Sequence, residues 1–266
     1  MSEAASRAEM PRSSQSVLDR RSVINSNANL LSIVKRGDRV LDVGCGTGAI
    51  TKDIAGLVGS EGIVVGVDTS EHLIRQAEQA YRHLPNLSFV VEDINTFAPT
   101  QLFDVVTSAR VLQWLAEPDK VVDRMVSLIK PGGCLTILDY NHTKVEFNPE
   151  IPSRMREVYN AFLKWREDAG MDNAIADHLD DIFKRAELMN VTSSDYSEIS
   201  IRGHKNFADD IALWSIVAEA RGPQMVKDGY LDENLRLSAI SDYKQWMEAD
   251  AQYMKLYLRA ITGYRA

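Results

Sequence analysis

An apolar stretch, Val40-Leu41-Asp42-Val43, runs directly into Gly44-Cys45-Gly46-Thr47-Gly48. Three alternate glycines let a backbone turn tightly and let a ligand approach it closely. Gly44, Gly46 and Ala49 also satisfy the G-x-G-x-x-G/A dinucleotide pattern. Two features weigh against a nicotinamide cofactor. The third glycine is Gly48 rather than residue 49, and Asp42 stands two positions before the turn. A carboxylate there suits a cationic ligand end and repels a pyrophosphate. Asp68 follows Gly48 by twenty residues, where an acid can accept from both hydroxyls of a ribose. That suits any adenosine ligand. Asp93, after Val91-Glu92, can accept from an adenine amino group, with Ile94 against the ring.

These residues need elements to hold them. Residues 39–43, 63–67, 87–91, 103–107 and 134–140 read as apolar strands. Between them, 49–58, 71–83 and the stretch after Pro118 carry helical spacing. Thr69 or Ser70 can cap the second of these helices. This β-α-β-α order predicts a doubly wound parallel sheet with helices on both faces. Residues 16–36 read as one helix, with Val17, Val23, Ile24, Leu30, Leu31 and Val34 near helical spacing. The first dozen residues read as a mobile tail. Beyond 140 the rhythm breaks. Helices are expected over 151–168, 177–189 and 206–250, the last broken at Gly222-Pro223 and near Gly229. Strands are expected over 191–201 and 253–261.

Open parallel sheets bind ligands beyond the carboxyl ends of their strands. The fourth strand ends near Ser108-Ala109-Arg110 and the fifth at Asp139-Tyr140-Asn141-His142. His142 is therefore the best placed of five histidines to act as a base. Tyr140 and Asn141 are placed to orient an acceptor. Tyr140-x-x-x-Lys144 also matches a dehydrogenase pair, but that pair needs a helix, and Asn148-Pro149 argues for a loop. His178 and His204 show no metal-ligand spacing. The aromatic helices, with Phe162, Trp165, Trp214 and Trp246, are core that can also line an apolar pocket.

Composition narrows the field. Of 266 residues 45% are hydrophobic and 26% charged, which fits a folded chain with a real core. The net charge is −8, so nothing in the total favours nucleic acid. No apolar run is long enough to span a bilayer, and the start lacks the apolar stretch of a secretory signal. Two cysteines, Cys45 and Cys134, suit a reducing compartment and exclude a cysteine metal cluster. A cytoplasmic chain, monomeric or homodimeric, is expected.

Taken together, these parts resemble the class I S-adenosylmethionine-dependent methyltransferases over roughly residues 16–140. Asp42-x-Gly44-x-Gly46-x-Gly48 matches the glycine motif, Asp68 the ribose-binding acid and Glu92-Asp93-Ile94 the adenine-contacting segment. Phe103-Asp104-Val105-Val106 through Leu112-Gln113-Trp114-Leu115, with Lys130-Pro131-Gly132-Gly133, is similar to the family's fourth-strand block. The nearest branch is the small-molecule one, with ubiquinone/menaquinone-type and trans-aconitate-type enzymes. The resemblance implies a Rossmann-like seven-stranded sheet, mostly parallel, whose antiparallel last strand is 253–261 and whose sixth is 191–201. It implies S-adenosylmethionine as cofactor, a small partly apolar methyl acceptor, and no metal. The cofactor set is then Asp42, Gly44, Cys45, Gly46, Gly48, Asp68, Thr69, Asp93, Ile94 and Ser108. Arg21 joins it, pairing with the cofactor carboxylate. Gln113 and Trp114 face the methionine end of the cofactor and, with Asn141, the acceptor. His142 and Tyr140 are the catalytic candidates. The chain divides into a tail and lid helix (1–37), a cofactor-binding core (38–140) and a helical insertion (141–176). A core helix with the sixth strand (177–201), a helical cap (202–250) and the last strand (251–266) follow. Rival readings are an NAD(P)-dependent oxidoreductase and a protein or RNA methyltransferase.

Overall fold

The computed structural model describes residues 3–9 and 18–266. Its centre is one sheet built from β1 (Arg39–Val43), β2 (Ile63–Asp68), β3 (Leu87–Val91), β4 (Phe103–Ala109), β5 (Ile129–Asn148), β6 (Met189–Asp195), β7 (Glu198–Ile201) and β8 (Tyr253–Tyr264). The order is β3-β2-β1-β4-β5-β8-β6, with β7 also on β8. The first five strands run parallel, and β8 is antiparallel to β5, β6 and β7. Alternation along β1 sends Val40 to one face and Leu41 to the other. Val40 packs with Ile54 and Val58 of helix Thr51–Val58, and Leu41 with Val122 and Met125 of helix Pro118–Ser127. Both faces are thus covered by helices, as the continuous apolar strands require.

A third apolar cluster lies outside the sheet proper. Trp165, Trp214, Tyr243 and Trp246, on helices Ser153–Asp168, Leu213–Ala220 and Glu233–Ala249, form a cap joined to the sheet through Leu138, Leu256 and Leu258.

Four expectations need correction. The sixth strand is two, β6 and β7, because Asp195 Oδ1 accepts from Ser197 N at 2.7 Å and turns the chain there. The sheet therefore has eight strands rather than seven. The fifth strand does not end at Tyr140 but continues to Asn148, with a register break against β8 between Asn141 and Glu146. The helix over 16–36 is divided: Val17 lies outside the described residues, and Val23–Ser26 and Leu30–Ile33 are separate short helices. Ser22 and Asn25 form a reciprocal capping box that starts the first of them. Finally, residues 3–8 of the expected tail are helical and docked. The Arg7 guanidinium is 4% exposed, lies 5.0 Å from the Trp165 ring and donates to the Trp165 carbonyl.

Candidate functional site

The strand order reverses between β1 and its neighbours β2 and β4, and the glycine turn leaves the carboxyl end of β1 at that point. Gly44, Gly46 and Gly48 all take positive φ, at 73°, 54° and 73°. Two of them are also sterically closed. A Cβ on Gly44 would sit 2.3 Å from Val111 Cγ2, and one on Gly48 would sit 2.6 Å from Phe89 Cζ. At Gly46 a Cβ would meet only Leu18 and Leu73, at 3.7 and 4.0 Å. The need for glycine there is therefore conformational on the protein side. Gly46→Ala is expected to fold, at a cost of about 1–2 kcal/mol for the left-handed residue. It should nevertheless lose S-adenosylhomocysteine affinity at least tenfold, because the methyl occupies the approach to the turn. Thermal unfolding and calorimetric titration of the same variant separate the two effects.

Asp68, at the end of β2, ties the turn down. Its Oδ2 accepts from Gly46 N at 2.9 Å and its Oδ1 from Ser70 N at 2.8 Å. Ser70 is the N-cap of the next helix but makes no side-chain cap bond, and Thr69 is exposed. Burial raises the Asp68 pKa against the lowering effect of these N–H groups.

Asp42 is 4% exposed and has one side-chain partner, the Thr51 hydroxyl at 2.7 Å. Burial pushes its pKa up to about 7. It lines a small cavity of about 40 Å³ with Leu18, Arg21, Gly44, Gly46 and Ala109. A buried carboxylate without a cationic partner among the described residues, beneath an open glycine turn, fits a ligand with a positively charged end.

At the end of β3, Asp93 is exposed. Its Oδ1 accepts from Asn95 N and Nδ2 at 2.9 and 2.8 Å, while Ile94 packs into the core. Cys45 borders the small cavity. Ser108 lines neither this cavity nor the larger one, and its hydroxyl donates to Val43 O at 2.9 Å, tying β4 to β1.

Just past the end of β4, and against Leu138 and Tyr140 in the middle of β5, lies a larger cavity of about 750 Å³. The N-terminal segment 20–28, edge strand β7, β8 and helix Phe207–Ile211 bound it, and Arg21 lines both cavities. Its organising residue is Arg110, in positive φ at 63° and 5% exposed. Arg110 Nε donates to the Tyr140 hydroxyl at 2.8 Å and Nη1 to Ser26 O at 2.6 Å, and Nη2 pairs with Glu198. Burial opposes the charge, but Tyr140 and Glu198 outweigh it and hold the guanidinium protonated.

His142 sits elsewhere. It stacks on Tyr140, with ring centroids 5.2 Å apart, is 7% exposed and does not line the cavity. Its Nε2 lies 2.6 Å from Gln113 Oε1, which also accepts from Arg166 Nη1 at 3.1 Å. Gln113 Nε2 donates to Arg110 O at 3.2 Å. The oxygen is thus fixed toward His142, so Nε2 carries the proton and Nδ1, without a partner among the described residues, keeps its lone pair. Burial and then Arg166 hold the His142 pKa well below its usual value. Trp114 is stacked between Arg166 and Arg221, at 4.7 and 4.6 Å. Asn141 Nδ2 donates to Asp177 at 2.7 Å.

The structure thus brings Asp42, Gly44, Cys45, Gly46 and Arg21 around one cavity and Arg21 and Tyr140 around the other. It holds His142, Gln113, Trp114, Asn141 and Ser108 off both linings, and Gly48, Asp68, Thr69, Asp93 and Ile94 line neither cavity. Asn27, Arg110 and Arg166 were not singled out from the sequence. Arg110 alone had a signal, its place at a carboxyl strand end.

Comparisons with known proteins agree with this geometry. A family model described as a methyltransferase domain matches residues 34–187, more than half of the chain. The ubiquinone/menaquinone biosynthesis C-methyltransferase UbiE of Yersinia enterocolitica is 33% identical over 117 residues, 42% of this chain and 47% of that protein. The chain spans about half the length of the curated relatives it matches. Among solved structures, a Haemonchus contortus phosphoethanolamine N-methyltransferase 2 with S-adenosylhomocysteine aligns with a TM-score of 0.56 at 18% identity, over 90% of this chain and 52% of that one. The YcgJ protein of a Bacillus aligns with a TM-score of 0.59 at 15% identity, over 90% and 97%. These two show the fold. The oxidoreductase alternative falls with the family match, and the glycine turn with Asp42 and Asp68 fits S-adenosylmethionine, a ligand with a cationic end, as cofactor. The chain belongs to the methyltransferase domain family.

Proposed function

We propose that the protein methylates an O, N or C atom of a small, partly apolar molecule, held in the larger cavity. The observation that carries this is the cavity itself. Its 750 Å³ is within the range of small-molecule sites, it lies at the carboxyl end of β4 and against Leu138 and Tyr140 of β5, and it shares Arg21 with the glycine-turn cavity. When bound, S-adenosylmethionine supplies a methyl group on a sulfonium, ready for in-line displacement. The chain's task is orientation, worth up to roughly 7–11 kcal/mol in favourable cases.

In this reading Asp68 holds the ribose hydroxyls, and Asp93 and Ile94 hold the adenine. Gly44, Cys45, Gly46 and Gly48 cradle the ligand, Thr69 and Ser108 flank it, and Asp42 faces its cationic end. Tyr140 orients the acceptor, with its hydroxyl fixed by Arg110. His142 backs Tyr140 as a neutral imidazole; with burial and Arg166 holding its pKa low and its ring off both cavity linings, it positions Tyr140 rather than taking the acceptor's proton. The free thiols of Cys45 and Cys134 fit a cytoplasmic setting. No helix among the described residues is long and apolar enough to cross a membrane.

Asp42 gives the reading a pH signature. A cationic ligand favours the ionised carboxyl, whose pKa in the free protein is about 7. Affinity for S-adenosylmethionine should therefore fall as pH drops below about 7, by up to roughly tenfold per unit. It should level off above 7. Asp42→Asn should flatten the profile; an unchanged slope in that variant contradicts the assignment.

The function is tested by incubating the protein with methyl-labelled S-adenosylmethionine and a cell extract divided at about 1 kDa. Protein-dependent label in the low-mass fraction is expected. Label confined to protein or RNA overturns the small-molecule reading.

A further inference from the structure

We propose that the acceptor carries an anionic, carboxylate-type group, held between the Arg21 guanidinium and the Asn27 carboxamide. This rests on reading the larger cavity as the acceptor chamber.

The charges that line the cavity are nearly all engaged. Arg20 pairs with Asp209 at 3.0 Å, and Arg110 with Glu198. Asp210 Oδ2 accepts from Ser200 Oγ at 2.9 Å, and Asp195 Oδ1 from Ser197 N at 2.7 Å. Arg21 alone has neither an ion pair nor a side-chain hydrogen bond among the described residues. Arg21 is therefore the one cation of the lining without a carboxylate partner among the described residues, while Asp195 and Asp210 are held by neutral serine donors.

Asn27 is an independent observation. It lines the same cavity, is 1% exposed, and neither Nδ2 nor Oδ1 has a partner among the described residues. Its backbone is already committed: N donates to Val23 O at 3.0 Å, and O accepts from Leu30 N at 3.1 Å. The fold thus fixes this carboxamide without using it, and buried amides in native proteins are paired. The Tyr140 hydroxyl accepts from Arg110 Nε at 2.8 Å, which leaves its own proton to donate. A carboxylate accepts from all three groups, whereas an ammonium meets an unpaired guanidinium. Asn27 Oδ1 is left for a hydroxyl or N–H on the same ligand. Leu138, Met254 and Leu256 supply an apolar wall for the rest of the molecule.

The cofactor's own carboxylate is the rival source of the anion at Arg21, because Arg21 lines both cavities. Asn27 lines only the larger one, which places the anion with the acceptor.

Three matched probes decide the matter: 3-phenylpropionate, 3-phenylpropionamide and 3-phenylpropylamine. Each is titrated by NMR into protein saturated with S-adenosylhomocysteine. The carboxylate is expected to bind at least tenfold tighter than the amide, and the amine weakest. Asn27→Ala and Arg21→Met should each remove most of that preference, and Asn27→Ala should leave S-adenosylhomocysteine affinity within twofold. Equal binding of the three probes overturns the anion assignment and leaves the acceptor chamber standing. If none binds, the chamber reading itself fails. If Arg21→Met costs tenfold in S-adenosylhomocysteine affinity while Asn27→Ala keeps the carboxylate preference, the anion at Arg21 is the cofactor's and the proposal is wrong.

Discussion

Asp68→Ala is expected to weaken S-adenosylhomocysteine binding by about 10²-fold or more. Two hydrogen bonds to a charged acceptor are lost from the ligand side, at roughly 1.5–3 kcal/mol each. The protein side adds to this. The same carboxylate accepts from Gly46 N and Ser70 N, so the variant strips the glycine turn of its tether to β2. Two backbone N–H groups then need new partners, and the turn is free to leave the ligand-bound shape. Asp68→Asn should be intermediate. An amide keeps one acceptor oxygen but turns its NH2 against one of the two backbone donors. Calorimetric titration checks the order wild type, Asn, Ala. A Kd for Asp68→Ala within twofold of wild type contradicts both roles.

The second large effect is expected at Arg110. Arg110→Met keeps much of the side-chain volume but strands Glu198, the Tyr140 hydroxyl and Ser26 O. Breaking a buried pair by removing one partner costs about 3–5 kcal/mol. At roughly 2–4 °C per kcal/mol for a chain of this size, Tm should fall by about 6–20 °C. Glu198 is half-buried, which places the loss toward the lower end. Arg110→Lys should recover only part of it, since an ammonium cannot reproduce three directed contacts of a planar fork. A Tm for Arg110→Met within 2 °C of wild type shows that solvent already satisfies these groups, and that the cavity wall is not organised as described.

How far the sequence reaches can be seen at three residues. The position of Asp68 was legible because spacing along a strand–turn–helix unit is a local quantity, and twenty residues after Gly48 falls at the end of β2. The position of His142 at a strand end was legible, but its surroundings were not. The strand runs on to Asn148, and a partner from helix Ser153–Asp168, Arg166, fixes Gln113 and through it the imidazole tautomer. Asn27 gave no signal at all. It is one polar residue within the apolar-spaced stretch 16–36, and only the fold, by burying it with both amide atoms without a partner among the described residues, makes it a candidate for recognition. Helix continuity over 16–36 failed for a related reason. Apolar spacing was counted, while Ser22 and Asn25 offered the backbone a competing set of hydrogen bonds.

The central claim is that the glycine turn and the larger cavity form one continuous site, joined at Arg21. Hydrogen exchange with and without saturating S-adenosylhomocysteine tests it most directly, because amide protection reports where the ligand acts without knowledge of the acceptor. Increased protection is predicted at 44–49 and 68–70, at 93–95, and at 18–28, the segment that carries Arg21 across both cavities. Protection that spares 44–49 and 68–70, or that leaves 18–28 exchanging as in the free protein, contradicts the account.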